Sequence, residues 1–173
     1  MKYIALYASL TATLRAVIKV YTDSYGHEKR TQITQNLKEH PIRLTQQLYT
    51  VAISNAINHG RRELNSDDLS IIKYIALNSI PEDRMLALKA LLKGEFNCDG
   101  LPTIKKSDLV KALNISDYRA KDIIKNFGLL GICDIEEPDE AESDSGDKYY
   151  IGEYSMTLKE EYKWLLDKEV WGA

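Results

Sequence analysis

Between residues 107 and 127 two short helical patterns are separated by only three residues. Leu109, Val110 and Leu113 mark the inward face of the first, and Ala120, Ile123, Ile124 and Phe127 that of the second. Asn114-Ile115-Ser116 lies between them. These three residues read as a tight turn, and Ser is a good N-cap for the helix that follows. Two helices joined by so tight a turn share one core and form a helix-turn-helix.

The flanking segments extend this unit. Pro81-Glu82-Asp83 makes a good first turn for a helix carrying Met85, Leu86, Leu88, Ala90, Leu91 and Leu92. Gly94 closes that helix, and Asn97-Cys98-Asp99-Gly100 reads as a turn. After Phe127 come a predicted strand over 131–135, an acidic loop over 136–147 expected to be mobile, and a strand over 148–154. Thr157-Leu158-Lys159-Glu160 reads as the capping-box start of a last helix carrying Leu158, Tyr162, Leu165 and Leu166. Helix, helix, tight turn, helix, strand, loop, strand, helix is the plan of a winged helix-turn-helix.

The first eighty residues read as helical. Tyr3, Tyr7, Leu10, Leu14, Val17 and Tyr21 recur at steps of three and four, which predicts one helix face. Asp23-Ser24-Tyr25-Gly26 ends that helix, and a shorter polar helix is expected from His27 to Lys38. His40-Pro41 interrupts the pattern. Residues 42–59 form a long helix. Leu44, Leu48, Val51, Ala52 and Ala56, flanked by Tyr49, Ile53 and Ile57, give it a wide apolar face suited to the centre of a bundle. Gly60 supplies a left-handed C-terminal position, and Asn65-Ser66-Asp67-Asp68 starts a helix that ends before Pro81. The expected fold is mainly α with a small β wing. Residues 1–80 form a helical bundle, and residues 81–173 a winged helix-turn-helix.

Composition bounds the function. The chain has 173 residues, 44% hydrophobic and 28% charged, with 9 Gly and 4 Pro, the profile of a globular protein rather than a loop-rich or all-β one. No run approaches the length of a membrane span, and no signal-peptide cleavage pattern follows the apolar N-terminus. Two cysteines, Cys98 and Cys133, suit a reducing cytosol, so a cytoplasmic location is expected. The net charge of −3 is uneven. Residues 1–133 hold 19 Lys and Arg against 13 Asp and Glu, whereas residues 134–173 hold 4 against 13.

Residues 41–133 also resemble the C-terminal region of archaeal P-loop ATPases of AAA-like type. The resemblance rests on Arg43-Leu44, the helix through Ile57, the Gly60-Arg61-Arg62 turn, Ser66-Asp67-Asp68-Leu69 and Ser79-Ile80-Pro81. In those proteins a helical lid precedes a winged-helix domain, and the resemblance implies that Arg43 matches a nucleotide-sensing arginine. A G-x-x-x-x-G-K-[ST] motif is missing from this sequence, so it is not expected to hydrolyse ATP alone. It is then the C-terminal piece of a larger ATPase or a stand-alone relative of that piece.

No catalytic, metal or cofactor site is expected. His27, His40 and His59 are scattered, the two cysteines are far apart, and no nucleophile elbow occurs. Cys98 reads as a surface thiol, and Cys133 as a residue on the polar face of a strand. Duplex DNA is the leading partner, because the second helix of a helix-turn-helix enters the major groove by its N-terminal part. The expected contacts are Lys105, Lys106, Ser116, Tyr118, Arg119, Lys121, Lys125 and Asn126. Arg119 has the chemistry to grip guanine, Asn126 adenine and Tyr118 a sugar or thymine methyl, while Lys105, Lys106 and Lys111 suit phosphates. Against DNA stand Asp117, Asp122 and the 8 carboxylates between Asp134 and Asp147, which repel phosphate. The alternative is a protein-interaction or assembly module whose acidic wing meets a basic partner.

Overall fold

A computed structural model describes residues 2–25, 28–37, 39–142 and 148–167, with 19–25, 28–37, 140–142 and 148–149 described by backbone alone. The chain divides into two units, Met1–Glu82 and Asp83–Ala173. Among the described residues it is mainly helical, with a small four-stranded antiparallel sheet.

Three helices build the first unit: α1 (Lys2–Leu14), α2 (Pro41–Asn58) and α3 (Ser66–Asn78). Each packs against the other two. Helix α1 is rich in Ala and buries Ile4, Tyr7, Ala8, Leu10 and Leu14. Its Thr11 hydroxyl donates to the Ala76 carbonyl of α3 at 3.3 Å. Helix α2 opens on Pro41, whose fixed φ suits a first turn, and buries Leu44, Leu48, Ala52 and Ala56. Gly60, at φ +68°, takes the left-handed position just past its end. Asn65 and Asp68 close a reciprocal capping box at the start of α3.

Two expectations for this unit are corrected. The first helix stops at Leu14 instead of running through Tyr21, and residues 28–37 are strand instead of helix. Strands β1 (Val17–Tyr25) and β2 (Glu28–Leu37) pair antiparallel, from Val17 opposite Leu37 to Tyr25 opposite Glu28. A register shift falls between Lys19 and Val20. Gly26, His27 and Lys38, which belonged to the same expectations, lie outside the described residues. The physical reason is the β-branched content of Val17, Ile18, Val20, Thr22, Thr31, Ile33 and Thr34, which disfavours helix and favours strand. Val17, at 56% exposed, continues the spacing of the α1 stripe without sharing its burial. On α2, Tyr49, Ile53 and Ile57 are exposed rather than central to the bundle.

The second unit contains α4 (Glu82–Leu92), β3 (Glu95–Phe96), β4 (Pro102–Lys105), α5 (Lys106–Leu113), α6 (Asp117–Leu129) and β5 (Cys133–Glu136). There follow β6 (Asp139–Glu142), β7 (Lys148–Ile151), β8 (Ser155–Leu158) and a 3₁₀ helix at Glu160–Leu166. The sheet order is β3-β4-β8-β5, and β6 pairs with β7 in a separate two-stranded ladder. Leu88, Leu91, Leu109, Ile124, Phe127, Ile132, Met156, Leu158 and Leu165 are fully buried and form the core.

Here too the register differs from expectation. The segment after residue 147 does not pair with the strand at 133–136. Cys133 instead faces Leu158, and Ile135 faces Met156. Thr157, expected to cap a helix, lies in β8 opposite Thr103, with the two hydroxyls 3.0 Å apart. Met156 and Leu158 bury their side chains in the sheet, which outweighs the local capping pattern. The acidic segment expected as a mobile loop contains β6, from Asp139 opposite Ile151 to Glu142 opposite Lys148. Residues 143–147 lie outside the described residues.

Candidate nucleic-acid interface

Helix α5 begins without a side-chain cap at Lys105. The carboxylate of Glu153 takes that role from a distant part of the chain. It accepts from the Ser107 amide at 2.9 Å and from its hydroxyl at 3.1 Å. Asn114 ends α5 in the left-handed region at φ 52°, which turns the chain within two residues. The Ser116 hydroxyl then accepts from the Arg119 amide at 3.3 Å and caps α6. Ala120, Ile123, Ile124 and Phe127 pin the helix to the core. Gly131, at φ +74°, leads the chain into β5.

This anchoring leaves the other side of α6 toward solvent. Tyr118 is 76% exposed, Arg119 and Lys125 are exposed, and Lys121, Asp122 and Asn126 are half-buried. Lys105 and Lys111 are exposed as well, and Lys106 is half-buried. The structure therefore brings the sequence-predicted residues onto neighbouring elements of one unit. Ser116 is the exception in role, because its hydroxyl serves as the helix cap.

The cations are engaged within the unit. Arg119 meets the Asp83 carboxylate of α4 at 2.6 Å. Lys106 pairs with Asp117, and Lys111 with Asp108 at 3.5 Å. Lys125 lies 3.6 Å from Glu137. The ammonium groups of Lys121 and Lys125 sit 4.6 Å and 5.4 Å from the centre of the Tyr154 ring. The Tyr154 hydroxyl donates to Glu137 at 3.5 Å. Hydrogen bonding to the Tyr154 side chain, with Glu137 and Tyr150 nearby, holds the Lys121 ammonium above the usual lysine range. Beside Arg119, burial pushes Arg84 down from the usual arginine value, and the Arg119 charge adds to that. A cleft of about 260 Å³ opens between Lys106, Lys121, Tyr150, Glu153 and Tyr154.

Sequence reasoning missed Asp83, Glu137, Glu153 and Tyr154. In the sequence Asp83 reads as part of a helix first turn, Glu137 as part of a loop and Tyr154 as a strand end. No local spacing links any of them to α6. Asp83, Glu137 and Tyr154 meet α6, and Glu153 meets α5, only through the fold, 12 to 46 residues away along the chain for the bonded pairs.

The other candidates have structural roles. Arg43 is exposed and reaches Glu39 at 3.5 Å, one turn before it. The Nδ1 of His40 accepts from the Ile42 amide, and that of His59 donates to the Asn55 carbonyl at 2.8 Å. Cys98 is exposed, whereas Cys133 is buried rather than on a polar face, and burial pushes its thiol well above the usual range. Among the described residues no group of His, Cys, Asp and Glu could hold a metal ion, and no helix is long and apolar enough to cross a membrane. No protein-family model, curated protein or solved structure matches the chain.

Proposed function

We propose that the second unit is a winged helix-turn-helix that binds duplex DNA through α6. The observation that carries this reading is the sheet order. Strand β8 lies between β4 and β5, and α5 and α6 fall between β4 and β5 in sequence. That leaves α6 as the outward second helix of a tight helix pair, with the connection between β5 and β8 as the wing. On this reading Arg119 exchanges Asp83 for a guanine edge, and Tyr118 contacts a sugar or thymine methyl. Asn126 reaches a base only if α6 lies deep in the groove. Lys105, Lys106, Lys111, Lys121 and Lys125 neutralise phosphates. The chain then acts without a cofactor, as a cytoplasmic transcriptional regulator or as the DNA-contacting C-terminal region of an archaeal AAA-like ATPase.

Anisotropy titration with a labelled duplex tests this across about 50 to 200 mM salt, where log K should fall by about 0.9 per phosphate neutralised for each tenfold rise in salt. Absence of binding at the low end overturns the reading. A second reading is favoured by the partners of the cations. Asp83, Asp117, Asp108, Glu137 and Tyr154 already occupy Arg119, Lys106, Lys111, Lys125 and Lys121, and the acidic β6 ladder is left to meet a basic protein. Binding to polylysine with no binding to duplex DNA would select it.

A further inference from the structure

The cleft beside α6 combines cations with flat side chains. Its cations are Lys106, at the start of α5, and Lys121 on α6. Lys106 is paired with Asp117, whose side chain is 71% exposed and able to turn to water. Lys121 lies 4.6 Å from the centre of the Tyr154 ring, a contact that leaves its charge in place. Both ammonium groups can therefore serve an anion in the cleft. The carboxylate among the lining residues is Glu153, and both its oxygens are engaged, by the Ser107 amide at 2.9 Å and the Ser107 hydroxyl at 3.1 Å. The positive end of α5 offsets its charge. Tyr150, Tyr154 and Pro138 supply flat surface, and Tyr150 is 67% exposed. Gly152, at φ +88°, turns the chain between β7 and β8, a conformation that other residues rarely adopt. A Cβ there would meet nothing within 4 Å, so the glycine serves the turn that brings both tyrosines to one cleft.

Charge and shape narrow the occupant. Two ammonium groups match a dianion. A phosphate monoester carries about two negative charges at neutral pH, whereas a phosphate within a DNA strand carries one. Exposed tyrosine rings are stacking platforms for planar groups such as nucleobases. The volume of about 260 Å³ lies just below the roughly 300–1,000 Å³ of ordinary ligand pockets, so the cleft takes one small group and excludes a duplex. We propose that this cleft binds a phosphate monoester joined to an aromatic ring, with the phosphate between Lys106 and Lys121 and the ring against Tyr150. A free nucleoside 5′-monophosphate and the 5′-phosphorylated end of a DNA strand both carry that chemistry. The site shares Lys106 and Lys121 with the DNA-binding reading but does not depend on it.

Calorimetric titration of the full chain with adenosine 5′-monophosphate, adenosine and inorganic phosphate tests this. The monophosphate should bind once per chain and more tightly than either of its parts. Lys121→Gln should weaken it by about tenfold or more, the loss expected for a hydrogen bond between charged groups. Tyr150→Ala should weaken it by about fivefold or more, the loss expected for one stacked base. Both variants should keep the wild-type circular dichroism spectrum, and Lys106→Gln replaces Lys121→Gln if the latter misfolds. A thymidine trinucleotide with a 5′-phosphate separates the two sources. If it binds more tightly than the mononucleotide the occupant is a strand end, and if less tightly a free nucleotide; either result keeps the site. No binding of either monoester at millimolar concentration overturns the proposal. So does adenosine or inorganic phosphate binding as tightly as the monophosphate, a 5′-hydroxyl trinucleotide matching the 5′-phosphorylated one, or unchanged binding in the folded variants. Because no duplex is present, failure here is separate from failure of the DNA-binding reading.

Discussion

The Arg119 guanidinium and the Asp83 carboxylate are both about half exposed, and pairs of that kind are worth about 0–1 kcal/mol. Arg119 is therefore held but not locked, and a stronger partner can displace Asp83. Breaking the pair from the acidic side by Asp83→Asn should raise DNA affinity by up to about fivefold, which is that same energy range read as an equilibrium. Arg119→Ala should cost about 1–3 kcal/mol of discrimination at one base pair. Lys121→Ala should weaken all sequences alike and lower the salt slope by about one. Unchanged binding in all three variants removes α6 from the interface. The opposite case is Asp68, whose side chain is fully buried. It accepts from Arg61 at 2.6 Å and 2.9 Å, from Asn55 at 2.7 Å and from the Asn65 amide at 2.9 Å. The Arg61 hydrogen bonds, aided by those from Asn55 and Asn65, hold its carboxyl far below the usual range against the cost of burial. A depressed folded value means that this stabilisation is complete above the unfolded pKa of about 3.9 and is lost as pH falls below it. Thermal unfolding of wild type should therefore drop more steeply below that pH than unfolding of Asp68→Asn, whose side chain does not titrate.

Elements were legible where local chemistry and burial agreed. The Asn65 cap, the Gly60 left-handed position, the tight turn at 114–116 and the Ser116 cap each rest on residues with a strong local preference, and each is found where the sequence places it. Legibility failed where two periods overlapped or where a partner lay far away. Val17 and Tyr21 continue a helical spacing by coincidence, while their β-branched neighbours determine the strand. Thr157 has helix-capping neighbours, but its hydroxyl pairs with Thr103 across the sheet, 54 residues away. Glu153 caps α5 from 46 residues away, which no window on the sequence can see. The β3–β4 edge shows the same dependence on distant contacts at Gly94. A Cβ at that position would collide with the backbone carbonyl of Thr103. The obstacle is backbone in a paired strand and cannot swing away as a side chain would. Gly94→Ala should cost about 1–3 kcal/mol as an overpacking change, read as a lower denaturation midpoint in urea. A midpoint equal to that of wild type would mean that the turn from α4 into β3 relaxes freely.

Across the molecule, the uneven charge seen in the sequence acquires a location. Helices α5 and α6 carry five cations, Lys106, Lys111, Arg119, Lys121 and Lys125, against Asp108, Asp117 and Asp122, and the connection from β5 to β8 carries an excess of carboxylates. Glu136 is tied into the sheet, accepting from the Ser155 hydroxyl at 2.9 Å, and Glu137 is tied to Lys125 and Tyr154. The β6–β7 ladder beyond them shares no strand with the four-stranded sheet. It can be removed without unpairing β3, β4, β8 or β5. Replacing residues 139–151 by a short Gly-containing turn deletes five carboxylates and one ammonium and leaves Glu136 and Glu137 in place. The circular dichroism of the remaining helices should be retained. If α6 meets DNA, the lost repulsion should tighten non-specific binding most at low salt, because at about 0.1 M the field of these charges is screened beyond roughly 10 Å. If the unit instead recognises a basic protein, the same replacement should abolish capture of polylysine and leave DNA affinity negligible. An unaltered DNA affinity at low salt in a folded variant would mean that the acidic ladder does not act on the α6 face. Loss of folding would show that the ladder supports the sheet through contacts other than strand pairing.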